Sequence, residues 1–145
     1  MARVLVIAEH LDGVLNLSTH KTVSCAAQIP GADIDLVVLA AQAASVAVQA
    51  SKLAGISKVL TLENPVFAEA VAATQAAAIA ELATGYSHVF GPATTFGKDL
   101  LPRVAALLGV GQISDVMAVQ GTHRFVRPVY AGNALLTLED RKSVV

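Results

Sequence analysis

Four apolar runs of strand length recur along the amino-terminal part of the chain: RVLVIAE (3–9), DIDLVVLA (33–40), KVLTLE (58–63) and HVFGPA (88–93). Val, Ile and Leu dominate them with little polar alternation, the pattern of strands covered on both faces of a parallel sheet. The stretches between and after them, 19–29, 43–54, 66–83 and 95–108, are rich in alanine. Alanine has the highest helix propensity, and its small side chain lets a helix lie close on a sheet, so these stretches predict helices. The βαβαβαβα order predicts an α/β fold: an open doubly wound, mostly parallel sheet of Rossmann-like type with helices on both faces.

Punctuating residues set the boundaries. Asn64-Pro65 predicts the start of the third helix, with Asn64 as cap and Pro65 at the first helical position, where its missing N–H is harmless. Gly55, Gly85 and Gly109 follow the second, third and fourth helices, where a left-handed exit favours glycine. Beyond Gly109 the rhythm changes. QISDVMAVQ, HRFVRPVYAG and NALLTLE have no helical segment between them, and Gln120-Gly121 and Gly132-Asn133 are turn signals. These features predict an antiparallel carboxyl-terminal edge, with Pro128 marking an edge or bulged strand. With 145 residues and no low-complexity linker, residues 1–145 read as one α/β domain.

Composition adds a partner to this picture. Hydrophobic residues make up 54% of the chain and charged residues only 14%, which implies that part of the surface is covered by something else. A net charge of -1 provides no broad field for nucleic acid or an anionic membrane. The alanine-rich stretches are broken by Gln, Ser, Lys and Glu before they reach membrane-spanning length, so no membrane insertion is expected. Cys25 has no second cysteine with which to form a disulfide or a metal or redox pair, and reads as a packed thiol. Arg3 leads directly into the strand-like VLVIA, and nothing at the start resembles a signal or transit peptide, so none is expected. A reducing compartment fits: the cytoplasm of a bacterium, or the mitochondrial matrix of a eukaryote.

Ligands of open parallel sheets sit beyond the carboxyl ends of the strands, where the strand order reverses. Two loops reach that edge, AEHLDGVLN (8–16) and GPATTFGK (91–98), and in the usual doubly wound order the strands before them are neighbours. The second loop has the outline of a phosphate-binding Walker loop around Gly97-Lys98. However, Pro92 stands where the first glycine belongs and Asp99 where the hydroxyl belongs. A proline removes an N–H donor and a carboxylate repels phosphate. Two readings of Thr94, Thr95, Gly97 and Lys98 stay open: a nucleotide or phosphate pocket at a helix start, or caps for the fourth helix.

The first loop lacks the glycine fingerprint of dinucleotide binding, since Glu9, His10, Leu11 and Asp12 precede a single Gly13. Adjacent Glu9 and His10 establish no proton-transfer geometry, and no catalytic residue is assigned. His20, His88 and His123 are too scattered in sequence to predict a metal site. Arg124 and Arg127, beside His123, form the one local basic cluster. They read either as interface residues able to pair with carboxylates and stack on an aromatic such as Tyr130, or as arginines exposed on an edge strand.

The segments VLVIAEH, NLSTHKTV, AGISKVL, YSHVFGPATTFGKDLLPRVAALLGVGQISD and RPVYAGNAL occur in that order from Arg3 to about Leu138. Together they resemble the amino-terminal domain of the electron-transfer flavoprotein α subunit. The resemblance implies a fold of the adenine-nucleotide-binding type in a non-enzymatic electron-carrier subunit. The carrier is a heterodimer with a β subunit that takes electrons from flavin dehydrogenases, such as the acyl-CoA dehydrogenases of fatty acid β-oxidation, to a quinone oxidoreductase. In that family FAD is held mainly by a second, carboxyl-terminal α domain with a Gln-His and a Gly-Met pair. No such segment follows Val145 in this sequence, so the resemblance implies that this chain alone lacks the main FAD site. It further implies that the 91–103 stretch is a structural helix start, and that Arg127, Tyr130 and Asn133 lie near the β-subunit contact or the hinge toward that second domain. The alternative is a free-standing adenine-nucleotide-binding sensor or small hydrolase module of the same fold.

Overall fold

The computed structural model describes residues 2–140 and the backbone of Ser143 and Val144. Its elements in chain order are β1 (Arg3–Ile7), β2 (His10–Leu11), β3 (Val14–Leu15), α1 (Leu17–Ala26), β4 (Asp33–Ala40), α2 (Ala44–Ser51), β5 (Ile56–Glu63), α3 (Ala72–Leu82), β6 (His88–Phe90), α4 (Thr95–Leu108), β7 (Gly111–Gln112), β8 (Ala118–Gly121), β9 (Arg124–Val129), β10 (Ala134–Glu139) and β11 (Ser143–Val144). The main sheet has the order β5-β4-β1-β6-β11-β7, and its pairings are parallel. The strand order reverses at β1, with β4 on one side and β6 on the other, as the doubly wound reading requires.

Side-chain alternation along β1 divides the core between the two faces of the sheet. Val4, Val6 and Ala8 pack with Val23, Ala26, Val46 and Ala50 of α1 and α2. Leu5 and Ile7 pack with Ala76 and Ile79 of α3 and Leu100, Leu101 and Val104 of α4. The sheet is therefore covered on both sides, and β4 shows the effect, with every residue from Ile34 to Ala40 buried.

The carboxyl-terminal antiparallel strands form their own three-stranded sheet, β10-β9-β8, rather than extending the rim of the main one. Phe125 of β9 is fully buried and joins the α1/α2 side of the core, where its ring lies 6.4 Å from that of Phe90. Pro128 lies in the central strand, not an edge strand. It sits beyond Val126, the last β9 residue that β8 pairs with, so its missing N–H removes no ladder bond on that side. The irregularity in register is on β8, between Val119 and Gly121, and the β8–β9 turn falls at Thr122 and His123 rather than at Gln120-Gly121.

Several helix boundaries differ from expectation: α1 runs Leu17–Ala26 rather than 19–29, α2 ends at Ser51 rather than 54, and the largest difference is at α3. Asn64 does cap a helical turn, accepting the Val66 N–H with its side chain, and Pro65 does open it. That turn is a short 3-10 segment, Pro65–Ala68, after which Glu69 is extended, and α3 begins only at Ala72. Gly85 is not left-handed; it closes a second 3-10 turn, Ala83–Gly85. Gly55 and Gly109 do have positive φ, and Gly109 caps α4.

Candidate functional site

The loops after β1 and β6 meet at the carboxyl rim of the sheet, and Glu9 joins them. Its Oε2 accepts the Ser18 hydroxyl at 2.8 Å and the Thr94 hydroxyl at 2.9 Å. Its backbone is held as well: the Glu9 N–H donates to Thr19 Oγ1 at 3.0 Å, and the Glu9 carbonyl accepts the Asn16 N–H at 2.8 Å. Asn16 caps α1 by accepting the Ser18 N–H, and Thr94 caps α4 by accepting the Gly97 N–H at 3.4 Å. A carboxylate thus sits between the hydroxyls at the amino ends of two helices, where the helix dipole favours negative charge.

Thr94, Gly97 and Lys98 line a cavity of about 440 Å³ with Ser18, Lys21 and Cys25. Thr95, the first residue of α4, is exposed and does not line it. Gly97 is fixed by packing: a Cβ there would stand 1.7 Å from the Pro92 carbonyl oxygen, so the helix start rests directly on the Pro92 backbone. Lys98 is paired with Asp115 at 3.7 Å. Cys25 is half-buried, and burial pushes its thiol above the ordinary range, which disfavours the thiolate.

The hairpin that carries β2 and β3 was not anticipated, although Asp12-Gly13 is a strong two-residue turn signal. Both turn residues have positive φ, 50° and 76°. His10 donates from Nε2 to the Leu39 carbonyl at 2.8 Å, which occupies it structurally rather than as a partner for Glu9.

Of the other histidines, His88 and His123 come together in space, their rings stacked at 5.5 Å, while His20 lies apart on α1. His88 is buried; its Nε2 donates to the Thr122 carbonyl at 2.5 Å, and its Nδ1 lies 2.8 Å from the Ser87 hydroxyl, which donates to the Arg3 carbonyl. Desolvation lowers its pKa; the Thr122 hydrogen bond opposes this and His123 adds to it. At the opposite rim Asp35 accepts the Tyr86 hydroxyl at 2.6 Å. Burial and that bond push the Tyr86 pKa up to about 12. No group of three or more metal-binding side chains occurs among the described residues.

Arg127, Tyr130 and Asn133 share the β9–β10 hairpin. Phe125, Arg127 and Val129 point to one face, opposite Leu138, Leu136 and Ala134 of β10. Burial falls away along it, from 0% exposure at Phe125 to 41% at Leu136. Arg127 Nε is buried there with no hydrogen-bond partner among the described residues. The turn at the end of the hairpin is strained: Tyr130 and Ala131 both have positive φ, 52° and 53°, and Tyr130 is 81% exposed. Asn133 donates its N–H to the Tyr130 carbonyl. Arg124 is drawn away by an ion pair with Glu139 across the hairpin.

The fold and rim define an α/β, Rossmann-like chain in which the starts of α1 and α4 at the rim are capped by its own Asn16 and Thr94. Residues 4–145 match the model of the electron transfer flavoprotein domain, and the chain belongs to that family. It is 47% identical over 141 residues to the electron transfer flavoprotein subunit alpha of Pseudomonas aeruginosa, an alignment covering 97% of this chain and 45% of that protein. It is 39% identical over 138 residues to the alpha subunit of Paracoccus denitrificans, covering 95% and 44%. The mitochondrial alpha subunit of Dictyostelium discoideum is 38% identical over 142 residues, covering 93% and 40%. The chain spans less than half the length of each of these relatives.

Proposed function

We propose that residues 1–145 act as a single α/β domain, the scaffold and subunit-contact part of an electron-transfer flavoprotein α subunit, and not as an enzyme. In this reading the partner is the β subunit, and the heterodimer carries electrons from flavin dehydrogenases to a quinone oxidoreductase. The observation that carries the reading is the β9–β10 hairpin. There the core face of the small sheet loses cover past Phe125, through half-buried Arg127 and Val129 to exposed Leu136, and carries an unpaired Arg127 Nε beside a strained, exposed Tyr130. An exposed apolar surface rimmed by a buried, unpaired donor is suited to docking against another chain.

The rim of the main sheet supports the same division of labour. FAD carries a pyrophosphate, and holding one needs free N–H and hydroxyl donors. The Ser18 and Thr94 hydroxyls already serve Glu9, and Gly97 rests on Pro92. These residues do not fit a pyrophosphate, and we assign FAD to the full-length protein rather than to Thr94, Thr95, Gly97 or Lys98. No described helix is long and apolar enough to cross a membrane. The cytoplasm, or the mitochondrial matrix in a eukaryote, suits the proposed role.

Titration of a β subunit into this chain by calorimetry tests the contact. Arg127→Ala should weaken association by about 2 kcal/mol, the scale of an arginine anchor at an interface. Unchanged affinity would count against the assignment. The cavity of about 440 Å³ beside Lys21 and Lys98 favours a second reading, an adenine-nucleotide module. Thermal unfolding with AMP, ATP and FAD separates the two, because a ligand bound only by the native state raises the midpoint.

A further inference from the structure

A second cavity, of about 700 Å³, opens at the carboxyl ends of β1 and β4, between the β2–β3 hairpin and the segment leading into α3. Gln75 of α3 lines it. This residue is only 4% exposed, yet its side-chain amide makes no hydrogen bond to any other described residue. Neither of its amide atoms is among the fully buried unpartnered ones, so they face the cavity and are open to a group that enters it.

The rest of the lining restricts what that group is. Asp12 and Glu69 contribute carboxylates, and no lysine or arginine lines the cavity, so an anion such as a phosphate is disfavoured. His10 keeps Nε2 on the Leu39 carbonyl, which leaves Nδ1 as an acceptor. Phe67 and Phe96 add aromatic surface. Acceptors, negative charge and aromatic faces together suit a planar cation with several N–H donors.

We infer that this cavity receives an arginine side chain from a second polypeptide, its guanidinium donating to the Gln75 carbonyl oxygen near the Asp12 and Glu69 carboxylates and lying against Phe67 or Phe96. The site is distinct from the Arg127 hairpin and does not depend on the role assigned to it.

The test uses the whole chain labelled with nitrogen-15 and three blocked tripeptides, Gly-Arg-Gly, Gly-Lys-Gly and Gly-Glu-Gly, followed by the side-chain amide signal of Gln75 in NMR titrations at low salt. The arginine peptide should shift that signal saturably at millimolar concentration, and the lysine peptide should bind at least fivefold more weakly. Glu69→Gln, an exposed position that leaves the fold intact, should weaken the arginine peptide at least threefold. Gln75→Leu, with folding checked by circular dichroism, should weaken it by more. Equal binding of lysine and arginine, insensitivity to Glu69→Gln, or no shift of Gln75 would overturn the inference. So would tighter binding of a neutral heterocycle such as adenine at Gln75.

Discussion

β4 and β10 are both short apolar strands, DIDLVVLA and ALLTLE, yet β4 is buried from Ile34 to Ala40 while β10 exposes Leu135 and Leu136. Sequence hydrophobicity alone does not separate them. β4 has a strand on each side and helices on each face, so every apolar group finds a neighbour within this chain. β10 is an edge strand of a three-stranded sheet whose outer face continues past the core. Leucines left on such an edge are a liability unless something else covers them. The contrast teaches that apolar content alone does not report burial within one chain; under the proposed role, a partner would cover the leucines that β10 exposes.

Substitutions sharpen that contrast in order of expected size. Leu36, fully buried in β4, should cost about 3 kcal/mol on mutation to alanine in chemical denaturation, the scale of a core cavity. Glu9→Ala removes the acceptor shared by Ser18 and Thr94 and should cost about 1–2 kcal/mol, with faster hydrogen exchange in the 8–16 and 91–98 loops together. If only one loop loosened, the tie between them would be refuted.

Acid gives a third, smaller effect. The folded state disfavours protonation of His88 because burial lowers its pKa, whereas the unfolded chain takes up the proton near pH 6.5. The unfolded state then binds more protons, so stability should be full above about pH 6.5 and fall as the pH drops below it. His88→Gln should flatten that part of the melting-temperature profile. Leu136→Ala should be the mildest change, within about 0.5 kcal/mol for the chain alone, while weakening a β-subunit complex by about 1 kcal/mol. A large loss of stability in the isolated chain would show that β10 is covered from within after all.

Local chemistry made much of the fold legible. β4 at 33–40 and α4 at 95–108 fall where the apolar runs and the Thr94 and Gly109 caps place them. The start of α3 was missed because Asn64-Pro65 opens a 3-10 turn as readily as an α-helix, and only packing decides that the chain straightens at Glu69 before Ala72. β7 and β11 are two-residue strands with no pattern of their own, defined by their neighbours. The site was legible in part. Thr94 announced itself as a cap, but its partner Glu9 lies 85 residues away, and no spacing rule connects them. Arg127 and Tyr130 were legible as chemistry and not as geometry, since the strain at Tyr130 belongs to a turn with only one glycine, Gly132, among its residues 130–133.

The placement of β11 has a consequence for any longer polypeptide built on this domain. It runs parallel to β6 and lies inside the main sheet, between β6 and β7. Its far end therefore points toward the rim that carries Glu9 and Thr94, and whatever is joined after it, a further domain or a purification tag, is launched from that rim, one strand in from the β7 edge. A bulky fusion there would crowd the loop region first, so labels intended to be silent belong at the other end of the chain.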